Sequence, residues 1–182
     1  MTPTNVRKPP DLTTYSAPEH RSAYNLVRVI EQFHVGTSGR YVPRDTSGDG
    51  QIDTHCDAFA CDVALAMCVV LPSEVLDSGD PAEAFQGREL NANGTIRWLR
   101  QHGPRYGWKQ ATEGEARAAA DAGRFAVATW LNVAGSGHIA VLRPSDGGHT
   151  MIAQAGRTCF EKGTLAHGFG VHSLECEFWV HE

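Results

Sequence analysis

Apolar residues in the first two thirds of the chain recur at the three- and four-residue spacing that is typical of amphipathic helices. From residue 124 onward the pattern changes to strict alternation, which indicates strands with one buried face. Helices followed by an antiparallel sheet predict an α+β domain. The predicted helices cover about residues 16–36, 56–69, 93–102 and 112–123, and the predicted strands cover 124–132, 137–143, 149–155 and 176–181.

The N-terminal residues 1–15 differ from the rest because they are rich in Pro and Thr and lack any apolar period. They are interpreted as a flexible arm, which leaves residues 16–182 as a single domain. The first helix is predicted to begin with a capping box formed by Ser16 and Glu19. Its predicted apolar stripe consists of Tyr24, Val27, Ile30 and Phe33.

Composition and charge exclude several classes of protein. Hydrophobic residues make up 41% of the chain and charged residues 20%, as in ordinary globular domains. A net charge of -5 disfavours binding to nucleic acids and anionic membranes. No stretch approaches the roughly 18 apolar residues of a membrane span. The N-terminus has no apolar core of a Sec signal, so action outside the cytoplasm would need another export route.

Cys56 is the candidate nucleophile, because it lies where a polar loop ends and an amphipathic helix begins. The N–H groups and partial positive charge of a helix N-terminus lower a cysteine pKa from about 8.5 to roughly 3.5–7.5. The N–H of Cys56 could also help to hold an oxyanion. Cys61 and Cys68 lie inside the same predicted helix without this advantage. The alternative is that Cys56 is a buried packing residue.

His138 is the candidate base, because it opens a predicted β-hairpin whose second strand contains Gln154. If Arg143 faces His149 across a five-residue loop, His138 lies opposite Gln154 on the same face of the sheet. The amide oxygen would then accept the imidazole N–H and orient the ring. The alternative has His138 at a strand end and Gln154 in solvent, with His55 as the fallback base.

The segment "DTSGDGQIDTHC" has the spacing of an EF-hand-type calcium loop, with Gly50 at the sixth position for the turn. Cys56 occupies the last position, where a thiol is a poor ligand for a hard cation, and Asp57 is the expected substitute. A structural calcium ion is predicted there; a solvated turn is the alternative. The predicted oxygen ligands are Asp45, Ser47, Asp49, the Gln51 carbonyl, Asp53 and Asp57.

The motifs "CDAF" and "GHIAVL", about 80 residues apart, resemble those of papain-like cell-wall amidohydrolases, the group with the CHAP and NlpC-like peptidoglycan hydrolases. The resemblance covers about residues 40–180 and implies a papain-like fold. Carried over position by position, it implies Cys56 as the nucleophile, His138 as the base and Gln154 as the orienting residue. The chain departs from the family at Asp57, where an amide is common, and at Gln154, where His, Asn, Glu or Asp is more usual.

The resemblance implies hydrolysis of a peptidoglycan amide through a thioester on Cys56. The bond could be muramoyl–L-alanine or one in the stem peptide or cross-bridge. A phage endolysin and an injected antibacterial effector with an immunity protein are both expected forms of such an enzyme, acting at the cell wall as a monomer. The alternatives are a thiol protease or deamidase toxin that acts on proteins, and a calcium-stabilised binding domain. Tyr41, Trp108 and Trp130 are candidate groove residues.

Overall fold

The computed structural model describes residues 18–46, 48–83 and 85–182. The predicted arm, residues 1–15, and the predicted cap Ser16 lie outside the described residues. Within them, helices precede and pack on a six-stranded antiparallel sheet, which is consistent with the predicted α+β class. No helix in these ranges combines the length and the apolar character needed to cross a bilayer.

Four of the five α-helices of the described residues begin after a residue whose side chain caps a free N–H group, and α2 is the exception. The side chain of Ser22 accepts a hydrogen bond from the Asn25 N–H at 3.1 Å, so the first helix starts later than predicted. Thr112 and Glu115 form the capping box predicted for the fourth helix. The helices are α1 Ala23–Glu31, α2 Cys56–Ala66, α3 Ala92–Gln101, α4 Glu113–Asp121 and α5 Leu165–Phe169.

The buried face of α1 also differs from the predicted stripe. Ile30 and Phe33 are buried as expected, but Tyr24 is 67% exposed. Leu26 and Val29 fill the remaining core positions. The apolar stripe is therefore rotated relative to the prediction, which placed Tyr24 on it from its three-residue spacing to Val27.

The sheet has the strand order β3-β8-β4-β5-β6-β7, and β1 pairs with β2 in a separate two-stranded ladder. All four predicted strands are present. The edge strands β3 and β7 were not predicted, because charged and polar residues on a sheet edge weaken the apolar alternation. The strands are β1 Glu74–Val75, β2 Arg88–Glu89, β3 Trp108–Ala111, β4 Ala126–Trp130, β5 His138–Asp146, β6 His149–Ala155, β7 Cys159–Thr164 and β8 Glu177–His181.

The register of the β5–β6 hairpin differs from the predicted one. Arg143 pairs with Met151 rather than with His149, because β5 continues to Asp146 through an irregularity. The turn consists of Gly147 and Gly148, which have φ of 56° and 80°. Positive φ at both positions is what a two-residue hairpin turn of type I′ requires. The shift is by two residues, so each side chain stays on the predicted face of the sheet.

Helix α2 packs on β5 and β6, and the pKa of its first residue, Cys56, is influenced by the backbone of Ile139, the second residue of β5. Its other contacts include an aromatic cluster in which the rings of Phe59 and Tyr41 meet edge to face, with centroids 5.3 Å apart. Phe33, two residues after the end of α1, meets Phe59 in the same way at 6.1 Å. These aromatic contacts hold α1, the loop before α2 and α2 itself as one packed unit.

Candidate active site

Cys56 is the first residue of α2, as predicted, and its sulfur lies in the interior with the residue 3% exposed. The backbone N–H groups of Ile139, Asp57 and Cys56 favour the thiolate form and act to lower the pKa of Cys56. Burial, followed by repulsion from the Asp57 carboxylate, nevertheless raises the pKa of the Cys56 thiol to about 12. The predicted lowering of this pKa is therefore wrong, because the cost of desolvating a thiolate exceeds the help from the helix N-terminus. The resting state is a neutral thiol.

The imidazole of His138 is hydrogen-bonded to Gln154, with 2.8 Å between Nε2 and the amide oxygen. The other end of the amide donates to the Thr158 carbonyl at 3.0 Å. A carbonyl only accepts hydrogen bonds, so the NH₂ group must face Thr158 and the amide oxygen must face the imidazole. His138 is therefore protonated at Nε2 when neutral, and Nδ1 carries the lone pair. The predicted contact is present and fixes the tautomer that a base needs.

The surroundings of His138 and Gln154 leave little room for either side chain to turn. The ring of Phe169 lies against the imidazole, with centroids 4.9 Å apart. A Cβ on Gly156 would lie 3.2 Å from the imidazole Cε1, and one on Gly168 would lie 2.5 Å from the Gln154 amide oxygen. Burial lowers the pKa of His138, and the Gln154 hydrogen bond opposes that effect. The imidazole is accordingly a neutral base at neutral pH.

Strand β5 links the sulfur to the imidazole through two adjacent residues. The backbone N–H of Ile139 favours the thiolate form of Cys56, and His138 is the preceding residue of the strand. His55, the fallback base, is the N-cap residue of α2, and its side chain makes no capping hydrogen bond. His138 is the better candidate, because the Gln154 amide orients its imidazole.

Asn93 fixes the loop that leads into His138, a role that the sequence did not reveal. Its amide NH₂ donates to the carbonyls of Asn132 and Gly135 at 2.9 and 2.8 Å, and its oxygen accepts from the Asn132 N–H at 3.1 Å. A Cβ on Gly137 would overlap the Asn93 amide oxygen. Asn93 is 8% exposed and uses both donors and its acceptor. No local pattern separates such a residue from an ordinary helix-start Asn.

The loop before α2 is held to that helix by a partly buried ion pair. Both carboxylate oxygens of Asp62 accept from the Arg40 guanidinium, at 2.6 and 2.9 Å, and one also accepts from the Tyr41 hydroxyl at 2.6 Å. The Tyr41 carbonyl accepts from the Cys159 thiol at 3.3 Å. Tyr41 is thus a core residue that links α2 to β7, rather than a groove residue.

The other two candidate groove aromatics have different positions. Trp108 is 2% exposed and donates its indole N–H to the Val70 carbonyl at 2.7 Å, so it belongs to the core. Trp130 is half-buried at the end of β4, directly opposite His138 in the β4–β5 ladder. Of the three, Trp130 alone lies beside the candidate base.

The acidic loop has its predicted turn but is bonded largely to itself. The Asp45 carboxylate accepts from the N–H groups of Gly48 and Gly50, at 2.6 and 2.9 Å. Gly50 has a φ of 83°, as expected for the sixth position. Asp53 pairs with Arg44 through two backbone hydrogen bonds of 3.0 and 3.2 Å, which close the loop at its base.

The remaining predicted metal ligands are only partly brought together. The Asp49 carboxylate accepts from the Gln51 N–H at 2.8 Å, Asp57 lies in the first turn of α2, and Ser47 is outside the described residues. Over 18–46, 48–83 and 85–182, no three His, Cys, Asp or Glu side chains are arranged to hold a metal ion. The donor chemistry fits calcium, because carboxylates and carbonyls are hard oxygen ligands.

No protein-family model matches the chain, and no curated protein matches its sequence. The residues of the site and their geometry are therefore what indicates its chemistry. A buried thiol at a helix start, beside an imidazole oriented by an amide, has the parts required for nucleophilic attack on a carbonyl carbon.

Proposed function

We propose that this chain is a papain-like cysteine hydrolase that cleaves an amide bond of bacterial peptidoglycan. The observation that carries the proposal is the chain of hydrogen bonds from the Thr158 carbonyl through Gln154 to His138, next to a sulfur on the first turn of α2. The order of helices followed by an antiparallel sheet supports the papain-like fold. The motifs "CDAF" and "GHIAVL" support the substrate class through the resemblance described above.

In the proposed mechanism, the substrate meets a neutral pair. As the sulfur of Cys56 bonds to the amide carbon, its proton moves to Nδ1 of His138. The carbonyl oxygen becomes an oxyanion, which the N–H of Cys56 at the helix N-terminus can stabilise. Gln154 keeps the Nε2–H in place and so favours the imidazolium that forms.

The second half of the reaction returns the enzyme to its starting state. The imidazolium of His138 gives its proton to the departing amine, the C–N bond breaks and a thioester remains on Cys56. Water then attacks the thioester carbon and loses a proton to Nδ1. The C–S bond breaks, the proton returns to the sulfur, and a carboxylic acid leaves. No external oxidant or cofactor is needed for either half.

The acidic loop is the proposed site of a structural calcium ion. Asp45 at the first position accepts from Gly50 at the sixth, so the loop already has a turn suited to presenting its oxygens. Bound calcium would hold the chain that enters α2 and would take no part in the chemistry. If the protein is an injected effector rather than an endolysin, an immunity protein is its expected partner.

The deciding experiment is mass spectrometry of purified sacculi digested by wild type, Cys56→Ala and Cys61→Ala. Wild type and Cys61→Ala, which changes the same kind of side chain on the same helix, should release identical fragments. Cys56→Ala should release none, and the new termini identify the bond. A Cys56→Ala protein as active as wild type, or a wild type that cleaves only a panel of proteins, contradicts the proposal.

A further inference from the structure

Trp130 lies next to the candidate base on the same side of the sheet. It pairs directly with His138 between β4 and β5. Directly opposed residues of antiparallel strands place their Cβ atoms about 4.5–5.5 Å apart on one face. The indole therefore flanks the imidazole on the β4 side, while Gln154 flanks it on the β6 side.

The indole is held in a fixed orientation by the turn that follows α5. Its ring stacks on the imidazole of His172, with centroids 3.8 Å apart and planes 21° apart. The Trp130 Nε1–H donates to the Glu175 carboxylate at 3.0 Å, and the other carboxylate oxygen is 3.0 Å from Nδ1 of His172. The 3-10 turn Gly170–Glu175 directly follows Phe169, which itself lies against His138. The two aromatic rings are thus preorganised beside the candidate base.

The side chains of Trp130, His172 and Glu175 are accessible to solvent, whereas the other three tryptophans are buried. Trp98, Trp108 and Trp179 are 2–3% exposed, whereas Trp130 is only half-buried. The side chains of His172 and Glu175 are 40% and 61% exposed. Hydrogen bonding to His172, and then to Trp130, lowers the pKa of Glu175, so the carboxylate is ionised at neutral pH.

An aromatic surface with a carboxylate at its edge matches the chemistry of a sugar ring. The C–H face of a pyranose packs on aromatic rings, and its hydroxyl or acetamido N–H groups donate to an acceptor at the ring edge. Small alanine side chains of a stem peptide would use neither the stacked rings nor the carboxylate. In peptidoglycan only a short lactyl ether separates the muramic acid ring from the first amide carbonyl, so a sugar beside His138 places that amide at Cys56.

We propose that Trp130, His172 and Glu175 form a subsite for the sugar ring on the acyl side of the scissile bond, which makes a muramoyl–peptide amide the preferred substrate. This inference rests on the proposed function and selects one of the peptidoglycan amide bonds that such an enzyme could cleave. The subsite binds and positions the substrate, whereas proton transfer belongs to His138.

The test measures binding without turnover, by calorimetry on Cys56→Ala protein. The probes are a disaccharide-dipeptide that carries muramic acid and the same dipeptide without sugar. The sugar-bearing probe should bind at least about tenfold more tightly, and Trp130→Leu and Glu175→Gln should each lose about tenfold of that affinity. Tyr24→Leu is the control, because Tyr24 is an exposed aromatic residue on α1 that is not part of the proposed subsite.

Each outcome decides between the subsite and the broader function. Equal affinity for both probes, or unchanged affinity in folded Trp130→Leu and Glu175→Gln, overturns the sugar subsite. If Trp130→Leu does not fold, Trp130→Phe and the surface variant Glu175→Gln still decide. Sugar-dependent binding by a wild type that leaves sacculi intact would retain the subsite and reject the hydrolase. Cleavage of sugar-free stem peptides as fast as muramoyl peptides would retain the hydrolase and reject the subsite.

Discussion

The thiol–imidazole centre and the acidic loop lie on either side of the start of α2, yet they are built in opposite ways. In the centre, a backbone N–H of β5 favours the thiolate form of Cys56, and the imidazole of His138 is hydrogen-bonded to Gln154 of β6. In the loop, the carboxylate of Asp45 is bonded by N–H groups three and five residues away. The centre therefore depends on the tertiary fold, whereas the loop depends on its own short sequence. Substitutions in the centre should change the chemistry, and substitutions in the loop should change stability.

The largest expected effect separates the two regions directly. His138→Ala removes the proposed base and should lower kcat on peptidoglycan by about 10²- to 10⁴-fold. Asp49→Asn in the loop should lower kcat by less than about tenfold, because the loop takes no part in proton transfer. The matched control is His149→Ala, since His149 is an exposed histidine at the hairpin turn. Equal losses in His138→Ala and His149→Ala would contradict the assignment of the base.

Gln154→Ala should have the next largest effect. It leaves the His138 Nε2–H and the Thr158 carbonyl without their partner, and an unsatisfied buried group costs about 1–3 kcal/mol. If the lost hydrogen bond lets the imidazole turn away from its reactive orientation, kcat drops about tenfold to a hundredfold.

Gln154→Glu distinguishes orientation of the imidazole from packing around it, because a carboxylate would raise the pKa of His138. The acidic limb of the pH–rate profile should then move to higher pH, and an unmoved limb would indicate a purely structural role.

The sequence predicted the positions of Cys56, His138 and Gln154 better than the residues that surround them, because the first depend on local patterns and the second on long-range packing. Cys56 and the face shared by His138 and Gln154 follow from local patterns, a helix start and an alternation of period two. The alternation survived the error in hairpin register, because a shift of two residues preserves the face. Asn93 and Phe169 come from distant segments, and only the folded chain brings Asn93 to the loop before His138 and Phe169 to the His138 imidazole.

The pKa of Cys56 shows the same limit of local reasoning. The sequence reveals that a sulfur stands at a positive helix end, but it does not reveal how much of the fold covers that sulfur. The edge strands β3 and β7 escaped prediction for a related reason: their pairing depends on β8 and β6, not on their own apolar pattern. Long-range packing is the common cause of these differences.

The pH dependence of stability tests the neutral pair, with a smaller expected effect. An unfolded cysteine titrates near about pH 8.5. Because the pKa of Cys56 in the folded state is raised to about 12, the thiol stabilises the folded state fully below about pH 8.5. This contribution to the free energy of unfolding is lost as the pH rises toward 12. The melting temperature of Cys56→Ala should therefore fall less than that of wild type above about pH 9, while Cys61→Ala follows wild type. Parallel curves for wild type and Cys56→Ala would contradict the raised pKa.

The pH dependence of activity tests His138, whose pKa is lowered by burial. The neutral imidazole should persist below its ordinary pKa of about 6.5, so the acidic limb of kcat/KM should lie below that value. Alkylation of Cys56 by iodoacetamide should be slow at about pH 6 and rise with pH, as expected for a thiol without a stable imidazolium partner. Fast alkylation at that pH would indicate a thiolate–imidazolium pair instead.

Calcium should have the smallest effect, and it acts on the loop rather than on the centre. An ion that binds only the folded state at about ten times its Kd stabilises it by about 1.4 kcal/mol, or roughly 3–6 °C in Tm for a chain of this size. Adding calcium after chelation should therefore raise the Tm of wild type by a few degrees, and kcat should change by less than about tenfold. Asp45→Asn keeps an oxygen that can accept from Gly50 but removes the charge, so it should abolish the calcium shift. A Tm shift of equal size in Asp45→Asn would mean that calcium binds elsewhere. If calcium does not shift the Tm of wild type, the hydrogen bonds within the loop hold its conformation without a metal.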